Sequence, residues 1–125
     1  MRILVVDDES DVKSLFEQRF RREIKNHEVD LEFAYSGEEA LQYINSHGQE
    51  AVLILSDINM PGMSGLELLK NIKENHGQPV PVVMMVTAYG DEKNHEQARV
   101  LGADDFLTKP LDFEALKHKL KKYLP

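Results

Sequence analysis

The stretch Val52-Leu53-Ile54-Leu55-Ser56-Asp57-Ile58-Asn59-Met60-Pro61-Gly62 decides the fold. Val52 to Leu55 run apolar without interruption, as a strand covered on both faces requires, and Asn59-Met60-Pro61-Gly62 is turn chemistry. Ile3–Val6 and Val82–Val86 read the same way. In Val29–Ala34, by contrast, Val29, Leu31 and Phe33 alternate with polar partners, which suits an edge strand. Phe106–Thr108 is the fifth strand-like run, and Val52–Ser56 is the bounded extent of the third.

Segments of helical period separate these runs. Ser36 with Glu39 and Ser64 with Glu67 fit a capping box, in which serine and glutamate each satisfy a free backbone donor. Behind them follow Ala40, Leu41 and Ile44, then Leu68, Leu69 and Ile72. Val12, Leu15, Phe16 and Phe20 make a first stripe, and Phe113, Leu116 and Leu120 a last one. A fourth helix, about Asp91 to Leu101, has the weakest apolar face, and Gly102 stands where a left-handed cap would end it. Strand and helix alternate throughout, which predicts a (βα)₅ domain: a parallel sheet between two helical layers.

The bulk properties agree with one globular domain spanning residues 1–125. A net charge of −7 argues against direct nucleic-acid binding, which needs a basic face. With no cysteine there are no disulfides or thiolate metal sites. The start, Met1-Arg2-Ile3-Leu4-Val5-Val6, is too short an apolar stretch for a secretory signal, and no apolar run could span a bilayer. The expectation is a cytoplasmic protein without a membrane partner.

In open parallel sheets, ligands bind beyond the carboxyl ends of the strands. The first strand is followed by Asp7-Asp8, the third by Asp57, the fourth by Thr87 and the fifth by Lys109. Three carboxylates, a hydroxyl and an amine therefore project from one edge. Two like charges ~4 Å apart at an effective dielectric of ~20 repel by about 4 kcal/mol. A domain stable by only ~5–15 kcal/mol cannot hold several such repulsions uncompensated. Either a carboxyl keeps its proton or a cation sits among them. An all-oxygen donor set suits a hard cation such as Mg²⁺, and with Lys109 it forms a cage that would neutralise a phosphoryl group.

The residues now resemble a known family. Ile3-Leu4-Val5-Val6-Asp7-Asp8-Glu9 and Ser56-Asp57-Ile58-Asn59-Met60-Pro61-Gly62-Met63-Ser64-Gly65 are similar to the first and third strand-loop signatures of response-regulator receiver domains. Val86-Thr87-Ala88 and Gly102-Ala103-Asp104-Asp105-Phe106-Leu107-Thr108-Lys109-Pro110 resemble the fourth and fifth. The resemblance implies a flavodoxin-like sheet of order 2-1-3-4-5. It implies that Asp57 accepts a phosphoryl group from a histidine kinase or phosphotransfer histidine, so that the protein is a signalling switch and not an enzyme. It assigns Mg²⁺ to Asp7, Asp8, Asp57 and the Asn59 carbonyl. Lys109 would pair with the phosphoryl oxygens, the Thr87 hydroxyl would move to bond one, and Phe106 would turn inward with it. Lys109 and Pro110 would share a cis peptide. The face of the fourth helix, fifth strand and fifth helix would then change. A downstream effector, an output domain beyond the last helix, or a second copy pairing there would read the change.

Each residue also has a plainer account. Asp7-Asp8-Glu9 suits the start of a helix, Asp57 an ordinary turn, and Lys109 a surface lysine. Asp7, Asp8, Asp57, Thr87 and Lys109 all converging on one sheet edge favour a site. An interaction module of this fold that is never phosphorylated is the first alternative. An aspartyl-phosphate hydrolase is the second, although its nucleophile would follow the first strand in an Asp-x-Asp pattern. His27, His47, His76, His95 and His118 show no metal spacing and read as exposed. Met84 and Met85 read as core, and the lysines from Lys117 to Lys122 as charge complementing a helix end. Tyr89, near the mouth of the site, is expected to shield the acyl phosphate from water.

Overall fold

The computed structural model describes residues 1–47, 52–75 and 80–123. His76 lies outside them. The strands are β1 (Arg2–Val6), β2 (Asp30–Ala34), β3 (Val52–Asp57), β4 (Val82–Thr87) and β5 (Asp105–Thr108). The helices are α1 (Asp11–Arg19), α2 (Arg21–Lys25), α3 (Gly37–His47), α4 (Gly65–Glu74), α5 (Glu92–Val100) and α6 (Phe113–Leu120). All pairings are parallel, in the order β2-β1-β3-β4-β5. The flavodoxin-like topology expected from the sequence is the one observed.

Strand alternation sends side chains to two cores. Ile3, Val5, Leu55, Met84 and Leu107 face one side, where Phe16, Phe20, Phe113, Leu116 and Leu120 close over them. Leu4, Val6, Ile54, Val83 and Met85 face the other, under Ala40 of α3, Leu68, Leu69 and Ile72 of α4, and Ala98 of α5. Thus α1 and α6 cover one face and α3, α4 and α5 the other. Only a sheet buried on both sides needs continuously apolar strands, which is why β1, β3 and β4 carry them. Met84 and Met85 are fully buried core residues.

Three details depart from the sequence reading. The first predicted helix is two: Phe20, with φ −102° and ψ 15°, leaves the helical basin between α1 and α2. Its ring nevertheless stays buried, stacked on Phe16 with centroids 5.9 Å apart. The expected fourth and fifth helices are consequently α5 and α6. Leu15 belongs to no core; it is 41% exposed. Asp57 and Thr87 are the last residues of β3 and β4 rather than the first beyond them.

The caps explain where helices begin and end. Ser64 Oγ accepts from the Glu67 amide, and Ser36 Oγ from the Glu39 amide. Glu39 returns its carboxylate to the Tyr35 amide, one residue before the cap. Gly102 has φ +100° after α5, with its amide on Arg99 O and that of Ala103 on Ala98 O, a complete Schellman arrangement.

Candidate functional site

Parallel register brings the chemistry to one edge. Val6 pairs with Ser56, and Asp57 pairs with Val86, so Asp7 and Asp57 emerge side by side from β1 and β3. The Lys109 amide donates to Thr87 O at 2.9 Å, which fixes the lysine beyond β5 against the end of β4. Lys109 Nζ then reaches back to Asp57 Oδ2 at 2.6 Å. Asp57 is 5% exposed, so the pair couples a buried carboxylate to a half-exposed amine.

Asp7, Asp8 and Asp57 each place a carboxylate oxygen within 4.8 Å of the other two. The burial is graded: Asp57 inside, Asp7 half-buried, Asp8 exposed. Asp7 Oδ1 also accepts from the Glu9 amide at 2.9 Å, holding the turn out of β1. Burial pushes the Asp7 carboxyl above its ordinary value and the Asp57 charge pushes the same way, against the Glu9 hydrogen bond. Burial disfavours the Lys109 charge, yet the hydrogen bond and charge of Asp57, helped by Asp7, outweigh it and raise its pKa. The lysine is therefore held cationic. Three oxygens of graded burial, with no sulfur or nitrogen donor among them, fit a hard divalent cation that keeps water ligands. Asn59 lies exposed in the loop two residues past Asp57.

The loop is pinned from behind. The Gly65 amide donates to Ile58 O at 2.7 Å, and a Cβ on Gly65 would run into the Asp57 carbonyl oxygen. Gly65 lets the start of α4 close directly on the end of β3, a role that sequence reading gave it only as part of a motif. Gly62 takes the left-handed turn, φ +72°.

Thr87 is 3% exposed, and its hydroxyl donates to Leu107 O at 3.4 Å, not toward the carboxylates. Phe106 is half-buried, with the His95 ring against it at 3.9 Å between centroids. Sequence reading missed that contact, because α5 and β5 meet only through the fold. The Lys109–Pro110 peptide is cis. Tyr89 is 90% exposed and covers nothing in this conformation. The lysines of α6 resolve into separate ties: Lys117 to Arg19 O and Glu23, and Lys119 to Asp105 at 2.9 Å. No helix among the described residues is long and apolar enough to cross a membrane.

A 2-1-3-4-5 sheet with an acidic, lysine-bearing pocket at its carboxyl edge places the molecule in the CheY-like class of the flavodoxin fold. The chain belongs to the response regulator receiver domain family, whose description it matches over residues 3–121. It is 36% identical over 125 residues to the transcriptional regulatory protein ResD of Bacillus subtilis, covering 98% of this chain and 48% of that protein. Other relatives are also about twice its length, so the chain spans about half of each. Sporulation initiation phosphotransferase F of Bacillus subtilis is 33% identical, with 99% of this chain and 94% of that protein covered. Among solved structures, the receiver domain of the Saccharomyces cerevisiae response regulator Ssk1, crystallised with the histidine phosphotransfer protein Ypd1, superposes with a TM-score of 0.82. That pair is 25% identical, with 99% of this chain and 88% of that one covered.

Proposed function

We propose that Asp57 is the phosphoacceptor of a two-component relay. A carboxylate oxygen of Asp57 attacks the phosphorus of a phosphohistidine on a sensor kinase or phosphotransfer protein. An O–P bond forms, the N–P bond breaks, and the imidazole leaves with a proton. The observation that carries this reading is the buried Asp57 carboxylate, 2.6 Å from Lys109 Nζ and beside Asp7 and Asp8. Lys109 supplies the fixed positive charge that a transferring phosphoryl group requires. Asp7, Asp8 and Asp57, with the Asn59 carbonyl, are the residues that would hold Mg²⁺. When bound, the ion neutralises the crowded carboxylates and the incoming phosphoryl oxygens.

The Thr87 hydroxyl then leaves Leu107 O for a phosphoryl oxygen, and Phe106 moves with it. The face of α5, β5 and α6 carries the change to a downstream partner: an effector protein, an output domain in the same polypeptide, or a second copy. The protein is a cytoplasmic switch that promotes its own phosphorylation and dephosphorylation and turns over no separate substrate.

The test is incubation with Mg²⁺ and acetyl phosphate, followed by intact mass. The parent is expected to gain one phosphoryl group and Asp57→Asn none. No incorporation in the parent would leave an interaction module. Sustained hydrolysis of p-nitrophenyl phosphate would make the protein a hydrolase.

A further inference from the structure

We infer that His95 is a positioning residue that clamps Phe106 in its resting place and so sets how readily the domain switches; this rests on the receiver reading above. The register pairs Met85 with Phe106 and Thr87 with Thr108. Paired residues of a parallel ladder share a face, so Thr87 and Phe106 lie on the same side of adjacent strands, two positions apart. That side is the core under α3, α4 and α5, against which Phe106 packs half-buried. A Thr87 side chain drawn toward Asp57 vacates volume on this face, and close-packed interiors do not keep such space empty. Phe106 is the adjoining large side chain with room to move.

A ring stands against the move. His95 lies over Phe106 at 3.9 Å with 31° between the planes. It is half-buried itself, carried on the exposed rim of α5. That helix is lightly anchored, with Ala98 its one buried residue. Its first turn is fixed through Asp91, whose carboxylate accepts from the Asn94 amide and side chain. The imidazole therefore lays a direct ring contact between α5 and the aromatic of β5. Phe106 cannot turn inward without giving it up. The stack stabilises the resting state alone, and a contact made in one of two states shifts their balance by its full worth.

The experiment uses beryllofluoride, an acyl-phosphate mimic, with Mg²⁺, followed by NMR of the Phe106, Leu107 and Thr87 amides. Alanine is the best helix former, so His95→Ala keeps α5 intact. With the clamp removed, the unliganded His95→Ala spectrum is expected to move along the line joining the parent's free and beryllofluoride positions. Half-saturation by beryllofluoride is expected to fall about two- to tenfold, the range of an aromatic pair converted to an equilibrium constant. His95→Phe, which restores a ring, is expected to return both readings to parental values. An unmoved free spectrum with unchanged or weaker half-saturation in His95→Ala would overturn the clamp, and so would a His95→Phe variant that behaves like alanine. A parent that ignores beryllofluoride would instead overturn the receiver reading beneath it.

Discussion

At the residue scale the site is an arrangement of unequal charges. Lys109 offsets Asp57 at 2.6 Å but leaves the Asp7 carboxyl raised, first by burial and then by the Asp57 charge. An acid raised in the fold binds its proton more tightly there than in the unfolded chain. Its contribution to stability is therefore present at low pH and lost as pH climbs from the ordinary 3.8 through the folded value. Without divalent ions, Asp7→Asn is expected to raise the neutral-pH melting temperature by a few degrees and to flatten stability across that window. Urea titrations at several pH values in EDTA check both. Lys109→Ala acts in the opposite direction, because it strands the buried Asp57 carboxylate among like charges. The lysine side chain is 41% exposed, so solvent screens the pair. The expected loss is about 1–2 kcal/mol rather than the larger cost of a fully buried pair. Phosphorylation by acetyl phosphate should slow more severely, on the order of 10²-fold, since the lost cation acts where charge is transferred.

At the element scale, strand ends and helix starts are what make the pocket. Gly65 shows this most sharply, because its missing side chain is where α4 and β3 touch. Gly65→Ala must push α4 off the Asp57 backbone and is expected to destabilise by about 1–3 kcal/mol by urea unfolding. Phosphorylation should fall beyond what that stability loss explains, since the displaced backbone is that of Asp57. Much of this scale was legible in the sequence. The Ser64 and Ser36 caps, the Gly102 stop and the thin apolar face of α5 all follow from local chemistry, which the chain carries within a few residues. What was not legible is tertiary. Phe20 breaks its helix yet keeps a buried ring through contacts with Phe16 and with Phe113, nearly a hundred positions away. Leu15 reads as core by spacing alone, but Val12, Phe16 and Phe20 are the residues of the stripe that pack into it, and Leu15 is left at the surface. His95 reads as a solvated histidine until β5 is set beside it. Tyr89 reads as a shield, yet in the fold it stands 90% exposed.

At the scale of the whole molecule, the three continuously apolar strands lie inside the sheet, and the order that sets β1 beside β3 brings Asp7, Asp8 and Asp57 within 4.8 Å. The fold thus creates a repulsion that Lys109 relieves only in part, in a chain that already carries a net charge of −7. Such a field draws cations in general, but only a site with fixed oxygens rewards a divalent one beyond screening. Because the two strand ends that carry the carboxylates are far apart in the unfolded chain, a divalent ion held by them would bind the native state and add stability by mass action. With free Mg²⁺ tenfold above its dissociation constant the gain is about 1.4 kcal/mol, or several degrees in melting temperature for a domain of this size. Mg²⁺ should deliver that shift to the parent, and KCl at matched ionic strength should not. Asp8→Asn should lose most of the shift while keeping its fold, since Asp8 is exposed and bears no packing. Equal shifts from KCl and Mg²⁺, or a full shift in Asp8→Asn, would reduce the cluster to ordinary surface charge and remove the electrostatic reason for a phosphate to settle there.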